Sequence, residues 1–208
     1  MEIMALFIEL HSVSPDARQV ATIAEAMLGG AVIAYPTDSG YALGCSVGMR
    51  KPLERIKAIR HLEDSHNFTL ICRDISEIST YAVVDTPAYR ILRRCTPGGY
   101  TFILPATHEV PRLVQADRKT IGVRIPDHQI ALALSQALEQ PMISTTLIMP
   151  DNETPLIYPE DVNDQLGSLV DIVIDGGYCG LEPTTVVDLT TVKPTVLRQG
   201  SGDVGMFE

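Results

Sequence analysis

Hydroxyl-bearing side chains follow or end three apolar segments of the chain, and together they could bind a polar ligand. The three groups are Thr37, Asp38, Ser39 and Tyr41 around Gly40; Thr96 and Thr101 around Gly98 and Gly99; and Ser144, Thr145 and Thr146. Glycine lets the backbone approach a ligand closely, so that backbone amides can bind an anion. In open α/β sheets, ligands bind where loops at strand ends present hydroxyls and amides. These three segments are therefore the candidate binding site.

Two arginines, Arg124 and Arg198, lie inside or at the end of apolar segments that are typical of strands. A guanidinium at such a place is costly to bury unless it is paired. Its partner could be an anionic ligand, or a carboxylate of the protein in a structural salt bridge, and the sequence leaves both open. Together with the hydroxyls and glycines, the arginines favour a nucleotide or another phosphorylated ligand.

Other kinds of site receive little support from the sequence. We expect no Rossmann dinucleotide site, no P-loop and no nucleophile elbow of the α/β-hydrolase type. Because no cysteines and histidines have the spacing of a zinc site, we predict no metal site and no tightly bound cofactor. His61 and His66 are expected on a solvated helix end and loop.

The composition is that of an ordinary globular protein, with 208 residues of which 45% are hydrophobic. The net charge is −10, yet residues 50–124 hold 13 of the 16 basic residues and carry a net charge of +5. Either this segment forms a basic face that binds an anion, or its charge is an accident of sequence. Scattered cysteines predict a reduced, cytoplasmic protein. No apolar run reaches the length of about 20 residues that a membrane span needs, so no membrane partner is predicted.

Helix-like and strand-like segments alternate along the chain, which predicts one α/β (α+β) domain over residues 1–208, with a twisted mixed sheet and flanking helices. Helices are predicted from Ser14 as N-cap to Gly29, from Pro52 to about His61, over Ile75–Tyr81, from Pro87 to Cys95, over His128–Leu138 and over Pro159–Leu166. Strands are predicted at 31–36, 68–72, 100–104, 120–126, 141–148, 169–174, 184–189 and 195–198.

At the same residues the chain resembles the YrdC-like family, and within it the YciO branch. The resemblance is carried by IAYPTDSGYALG (33–44), CTPGGYTFIL (95–104), TIGVRIPDH (120–128), PMISTT (141–146), EPTTVVDL (182–189) and VLRQG around Arg198. It implies a YrdC/RibB-like fold, in which a twisted sheet surrounds a concave, basic cavity. The catalytic members of the family make threonylcarbamoyl-adenylate from threonine, bicarbonate and ATP for tRNA modification. Double-stranded RNA binding is also attributed to the family.

The resemblance implies a role for each candidate residue. Thr37 and Tyr41 would form the wall that binds threonine. Thr101, Arg124, Ser144, Thr146 and Arg198 would surround the nucleotide and its phosphates, while Lys57, Arg60 and Ser144 would be the catalytic group. Mg²⁺ would accompany ATP. The expected partners are thus a nucleotide or another small molecule, and double-stranded RNA or tRNA.

The chain departs from the synthases at two places. Their K-x-R pair aligns with Arg60 and Leu62, with Lys57 one turn upstream, and Ile148 replaces the asparagine of their S-x-N pair. Neither an isoleucine nor a leucine can hold a phosphate. Three functions stay open: a YciO-type protein that binds a nucleotide or RNA without the synthase reaction, a working synthase that uses Lys57 and Arg60, or a hydrolase of a nucleotide or acyl-adenylate with Asp38 as base.

Overall fold

The computed structural model describes residues 4–112, 114, 119–150 and 152–207, which form ten strands and six helices. The strands are β1 (Leu6–Glu9), β2 (Ile33–Thr37), β3 (Gly40–Ser46), β4 (Thr69–Ile71), β5 (Tyr100–Pro105), β6 (Thr120–Arg124), β7 (Met142–Thr146), β8 (Ile172–Asp175), β9 (Thr185–Asp188) and β10 (Thr195–Arg198). The helices are α1 (Ala17–Leu28), α2 (Arg50–Arg60), α3 (Ile75–Tyr81), α4 (Thr86–Cys95), α5 (Gln129–Leu138) and α6 (Pro159–Leu166). The prediction of a mixed α/β fold is confirmed.

Helices α1 and α2 begin at residues other than those predicted. The N-cap of α1 is Asp16, not Ser14, because the Asp16 carboxylate accepts hydrogen bonds from the amides of Arg18 and Gln19, each at 3.0 Å. Helix α2 begins at Arg50, which places Pro52 in the first turn, where its missing amide costs nothing. Within the described residues, no helix combines the length and apolar character needed to cross a membrane.

All ten strands join one twisted sheet in the order β1-β8-β2-β3-β7-β4-β6-β5-β9-β10. Four neighbouring pairs are parallel and five are antiparallel, so the sheet is mixed as predicted. The sequence reasoning missed β1 and β3. Strand β3 begins within the stretch TDSGYALG and continues to Ser46, and it pairs with β2 through a hairpin whose tip is Asp38 and Ser39. Gly40 follows with φ +100°, a backbone conformation that favours glycine.

The two faces of the sheet are covered unequally. One face packs against α2, α3, α4 and α6 to form the larger core, which includes Leu43, Leu70, Phe102, Val123 and Ile143. On the opposite face, α1 and α5 pack only on the side of β2, β3 and β8, around Ile33, Tyr35, Met142, Ile172 and Ile174. The rest of that face is open, and this uneven coverage leaves a cavity on the sheet.

Candidate ligand-binding cavity

The open half of the sheet forms the floor of a cavity of about 350 Å³. Successive side chains of a strand point to opposite faces, so alternate residues of β4, β5, β6 and β7 reach the cavity. The floor residues are Ala42, Ser144, Thr146, Thr69, Ile71, Gly122, Arg124, Thr101, Ile103 and Val186, with Thr184 and Arg198 at one end and Thr37 and Ser39 at the other. Each of the three sets of hydroxyl-bearing residues selected from the sequence thus contributes to one cavity, although the sets come from distant parts of the chain.

The Thr37 wall is held by the tip of the β2–β3 hairpin. The Thr37 hydroxyl donates to the Gly40 carbonyl at 2.7 Å and accepts from the Ser39 amide at 3.1 Å. Both side chains are buried, Thr37 at 3% exposure. The hairpin therefore presents a rigid polar wall rather than a mobile loop.

Tyr41 borders the cavity, but its hydroxyl does not serve a ligand there. It donates to the Gly177 carbonyl at 3.1 Å and accepts from the Gly176 amide at 3.4 Å, and its ring belongs to the core on the other face. Burial raises the pKa of this phenol well above its usual range. Tyr41 thus ties the loop at Gly176 and Gly177 to the hairpin wall.

Arg124 forms a buried ion pair inside the cavity. Its guanidinium donates through Nη2 to the Asp38 carboxylate and through Nη1 to the Ser39 hydroxyl at 2.9 Å, while its Nε is buried with no hydrogen-bond partner among the described residues. Burial lowers the pKa of Arg124, and the charge of Asp38 acts against that shift. Of the two partners that the sequence left open for Arg124, the structure contains the carboxylate.

Arg198 reaches the cavity from β10 and is exposed. Its Nε and Nη2 donate to the Thr184 carbonyl at 3.1 and 2.9 Å, and Nη2 also lies 3.1 Å from the Thr184 hydroxyl. That hydroxyl lies 3.0 Å from the Thr101 hydroxyl on the neighbouring strand β5. Neutral oxygens orient the guanidinium here, so its charge has no carboxylate partner within the described part of the chain.

Ser144 occupies the middle of the cavity floor, where β7 lies between β3 and β4. Its hydroxyl lies 2.7 Å from the Tyr35 hydroxyl, a hydrogen bond between two buried groups. Burial raises the pKa of Tyr35 to about 12, so the phenol stays protonated at neutral pH. The pair fixes the rotamer of Ser144, and the sequence reasoning did not include Tyr35.

Two of the predicted catalytic residues, Arg60 and Lys57, lie in different places relative to the cavity. Arg60 donates from Nε to the carbonyl of Thr146 at 2.9 Å, which places its guanidinium beside a cavity residue. Lys57 instead forms ion pairs with Glu54 at 3.5 Å and Asp64 at 3.1 Å, and it is not among the cavity residues. The structure therefore brings Arg60 to the cavity rim and leaves Lys57 outside it.

His66 corrects the expectation of a solvated loop. It lines the cavity, its Nε2 lies 3.2 Å from the Thr145 hydroxyl, and its ring contacts Phe68 edge to face at 5.0 Å between centroids. Burial lowers the pKa of His66, and the positive charges of Arg60 and Lys57 lower it further. The site thus presents a neutral imidazole at neutral pH.

Gly98 and Gly99 do not line the cavity, contrary to the expectation of anion-binding amides. The Gly98 amide donates to the Ile125 carbonyl at 3.0 Å, and the Gly99 carbonyl accepts from the Thr185 amide at 2.9 Å. A Cβ on Gly98 would lie 2.6 Å from the Cys95 carbonyl oxygen. These glycines permit close backbone packing, and they leave ligand binding to side chains.

The basic segment 50–124 does not form the lining of the cavity as a whole. Among its described residues, Arg124 is the only lysine or arginine that lines it. Arg55 and Arg73 pair with Asp171 and Glu77 elsewhere on the molecule. The described residues contain no group of three or more metal-ligating side chains.

Two stretches of sequence match the letters of motifs that we did not expect, and their structural context is wrong for those functions. GCSVG (44–48) has the spacing of a nucleophile elbow, but Ser46 is buried at 1% exposure and accepts from Gln140 Nε2 at 2.6 Å. GSGDVG (200–205) has the spacing of a dinucleotide loop, but no helix follows it in the described chain.

The chain is similar to known proteins over most of its length. A model of the Sua5/YciO/YrdC family, described as "Telomere recombination", matches residues 25–200, so the chain belongs to this family. The uncharacterized protein YciO of Escherichia coli strain K12 is 51% identical over 205 residues, which are 98% of this chain and 100% of that protein. The crystal structure of E. coli YciO superposes with a TM-score of 0.93 and covers 99% of this chain and 100% of that one.

More distant relatives include enzymes. A threonylcarbamoyl-AMP synthase of Vibrio vulnificus strain YJ016 is 29% identical over 182 residues, 86% of this chain and 96% of the enzyme. P. abyssi Sua5 in complex with L-threonine has a TM-score of 0.87 at 24% identity, over 94% of this chain and 58% of that one, which shows a shared fold.

Proposed function

We propose that this chain binds an adenine nucleotide, with the phosphate end of the ligand at Arg198. The observation that carries the proposal is the composition of the cavity: ten hydroxyl-bearing residues and two arginines on the open half of the sheet. Hydroxyls can hydrogen-bond a ribose or a phosphate, and the apolar floor residues Ile71, Ile103 and Val186 can contact a base. The synthase relatives, named for an AMP-containing product, favour adenine.

In this proposal the hairpin wall of Thr37 and Ser39 binds the second part of the ligand, opposite Arg198. Arg124 contributes indirectly, because its ion pair with Asp38 holds that wall in place. Mg²⁺ would enter with a polyphosphate, held by its oxygens.

The synthase reaction itself is expected to be lost or changed. Lys57 is engaged by two carboxylates, and Ile148 offers an alkyl group where the synthases have an amide. The working synthase remains the alternative, and the position of Arg60 against Thr146 favours it. Pyrophosphate release from ATP that depends on both threonine and bicarbonate would establish the alternative; its absence at enzyme concentrations where a synthase relative is active would exclude it.

Isothermal titration with AMP, and with ATP and Mg²⁺ in the presence and absence of threonine and bicarbonate, tests the nucleotide proposal. We expect saturable binding that falls at least tenfold in Arg198→Gln. Arg18→Gln on α1 is the matched control, since it removes the same charge from an exposed helix away from the cavity. Absence of binding to any adenine nucleotide, or equal binding by both variants, would refute the proposal.

We propose double-stranded RNA binding as a second candidate function, at a place other than the cavity. Arg124 is buried and paired, so it is a poor phosphate contact. Arg90, Arg93 and Arg94 are exposed on α4 at spacings of three and four residues, which puts them on one helix face. Replacing all three by glutamine should weaken binding to an RNA duplex and lower the salt slope by about 1 per lost phosphate contact. Unchanged affinity and slope would refute it.

A further inference from the structure

The positive charge available to a ligand in the cavity is small. Arg124 and Arg198 are the lysine or arginine residues that line it in the described chain. Each Nη atom of Arg124 donates one hydrogen bond, to Ser39 and to the Asp38 carboxylate, and its Nε is inaccessible to solvent. The charge of Arg124 is thus neutralised within the protein before any ligand enters.

Arg198 remains as the cation without a carboxylate partner at the cavity, within the part of the chain that the structure describes. Its Nη1 forms none of the hydrogen bonds to Thr184, so it is available to a phosphoryl oxygen. Arg60 stands at the rim and has its Nε bound to Thr146, while Lys57 is held outside by Glu54 and Asp64. The site therefore offers one cation in the cavity and a second at its edge.

A nucleoside triphosphate needs more positive charge than these two arginines supply. Proteins that bind ATP neutralise its phosphates with several cationic groups and with Mg²⁺ that is often held by a carboxylate. The described lining contains no aspartate or glutamate, and Asp38, which contacts the lining residue Arg124, is already paired with it. The volume of about 350 Å³ also lies near the lower end of the range for ligand pockets, roughly 300–1,000 Å³.

We infer that the cavity is selective for adenylates, ligands with a single phosphoryl group such as a nucleoside monophosphate or its acyl anhydride, over nucleoside triphosphates. This inference rests on the proposed adenine-nucleotide function and narrows its ligand class. One phosphoryl group matches one available guanidinium, and the many hydroxyls bind the uncharged remainder. Each further phosphoryl group would bring negative charge that no free cation in the described cavity neutralises.

Titration with AMP, ADP and ATP, each in the presence and absence of Mg²⁺, tests the selectivity. We expect affinity to decrease from AMP to ATP, with AMP at least tenfold tighter than ATP without Mg²⁺ and still tighter with it. ATP binding equal to or tighter than AMP in Mg²⁺ would overturn the inference and leave the nucleotide proposal standing. Failure of all three nucleotides to bind would overturn both.

Two variants identify the charge that sets the selectivity. Asp38→Asn removes the carboxylate that neutralises the Arg124 guanidinium, so ATP affinity should rise more than AMP affinity. The ratio of AMP affinity to ATP affinity should fall at least threefold. Arg198→Gln should weaken AMP and ATP by the same factor, because each ligand offers one phosphoryl group to it. If Asp38→Asn does not fold, the titrations of Arg198→Gln with AMP and ATP still test the inference. A loss of affinity confined to ATP would show that Arg198 contacts the outer phosphates, and it would overturn the inference.

Discussion

Leaving Arg124 without its partner Asp38 should destabilise the cavity wall strongly, and Asp38→Asn measures that cost. The side chains are 18% and 8% exposed, so the pair is largely shielded from water. Removing one partner of a buried pair costs about 3–5 kcal/mol, since the other charge stays behind unpaired. Because Asp38 is partly solvated and Ser39 still accepts from Arg124, we expect about 3 kcal/mol, at the lower end.

Urea unfolding followed by circular dichroism at pH 7 gives the free energy of unfolding, and a thermal scan should show a fall in Tm of about 6–12 °C for a chain of this size. The double variant Asp38→Asn/Arg124→Met removes both charges and should recover most of the loss, to within about 1 kcal/mol of the wild type. Glu54→Gln, which breaks an exposed pair with Lys57, is the control and should cost less than about 0.5 kcal/mol. An Asp38→Asn variant within 1 kcal/mol of the wild type, or a double variant as unstable as the single one, would refute the reasoning.

Three further predictions concern single features of the cavity and its surroundings. Ser144→Ala leaves the buried Tyr35 hydroxyl without a partner and should cost about 1–3 kcal/mol in urea unfolding; adding Tyr35→Phe should return part of that loss, and no recovery would contradict the hydrogen bond. Burial lowers the pKa of His66 and His128, so both imidazoles are neutral in both states above about pH 6.5, and below it the unfolded chain takes up protons first. The free energy of unfolding should therefore fall as the pH drops from about 6.5, and a His66→Gln/His128→Gln variant should show a flatter profile between pH 6.5 and 5 in the same assay. Gly98→Ala would place a Cβ 2.6 Å from the Cys95 carbonyl oxygen and should lower the Tm by several degrees, whereas Gly48→Ala, next to open space but at φ +83°, should cost about 1 kcal/mol of backbone strain alone.

Most of the elements follow from local sequence, because apolar runs and helix punctuation are local signals. Helices α3 and α6 were predicted at their observed bounds, and proline or a capping carboxylate explains both starts. Strand β3 was missed because all seven of its residues are buried, so it lacks the alternation that marks a half-exposed strand, and two glycines interrupt it. Strand β1 was missed because four residues at a sheet edge give a weak signal.

The cavity could be predicted only in part. Hydroxyls at strand ends can be recognised in the sequence, but whether they lie close together depends on the order of strands in the sheet. Thr37, Ser144 and Thr101 were selected for their positions, and the sheet brings them to one surface. His66 was missed because its neighbours are polar. Only the pairing of β4 with β7 brings it to Thr145, a residue 79 positions away.

The choice between a ligand and a carboxylate as the partner of Arg124 also depended on the fold, since Asp38 is 86 positions away. This pair has two effects. It holds the hairpin wall in place, and it neutralises a positive charge that could otherwise bind a phosphate of the ligand. A variant that loses stability while gaining ATP affinity would show both effects of a single carboxylate. Asp38→Asn is expected to do so, because the charge that holds the wall is the same charge that a triphosphate would need to displace.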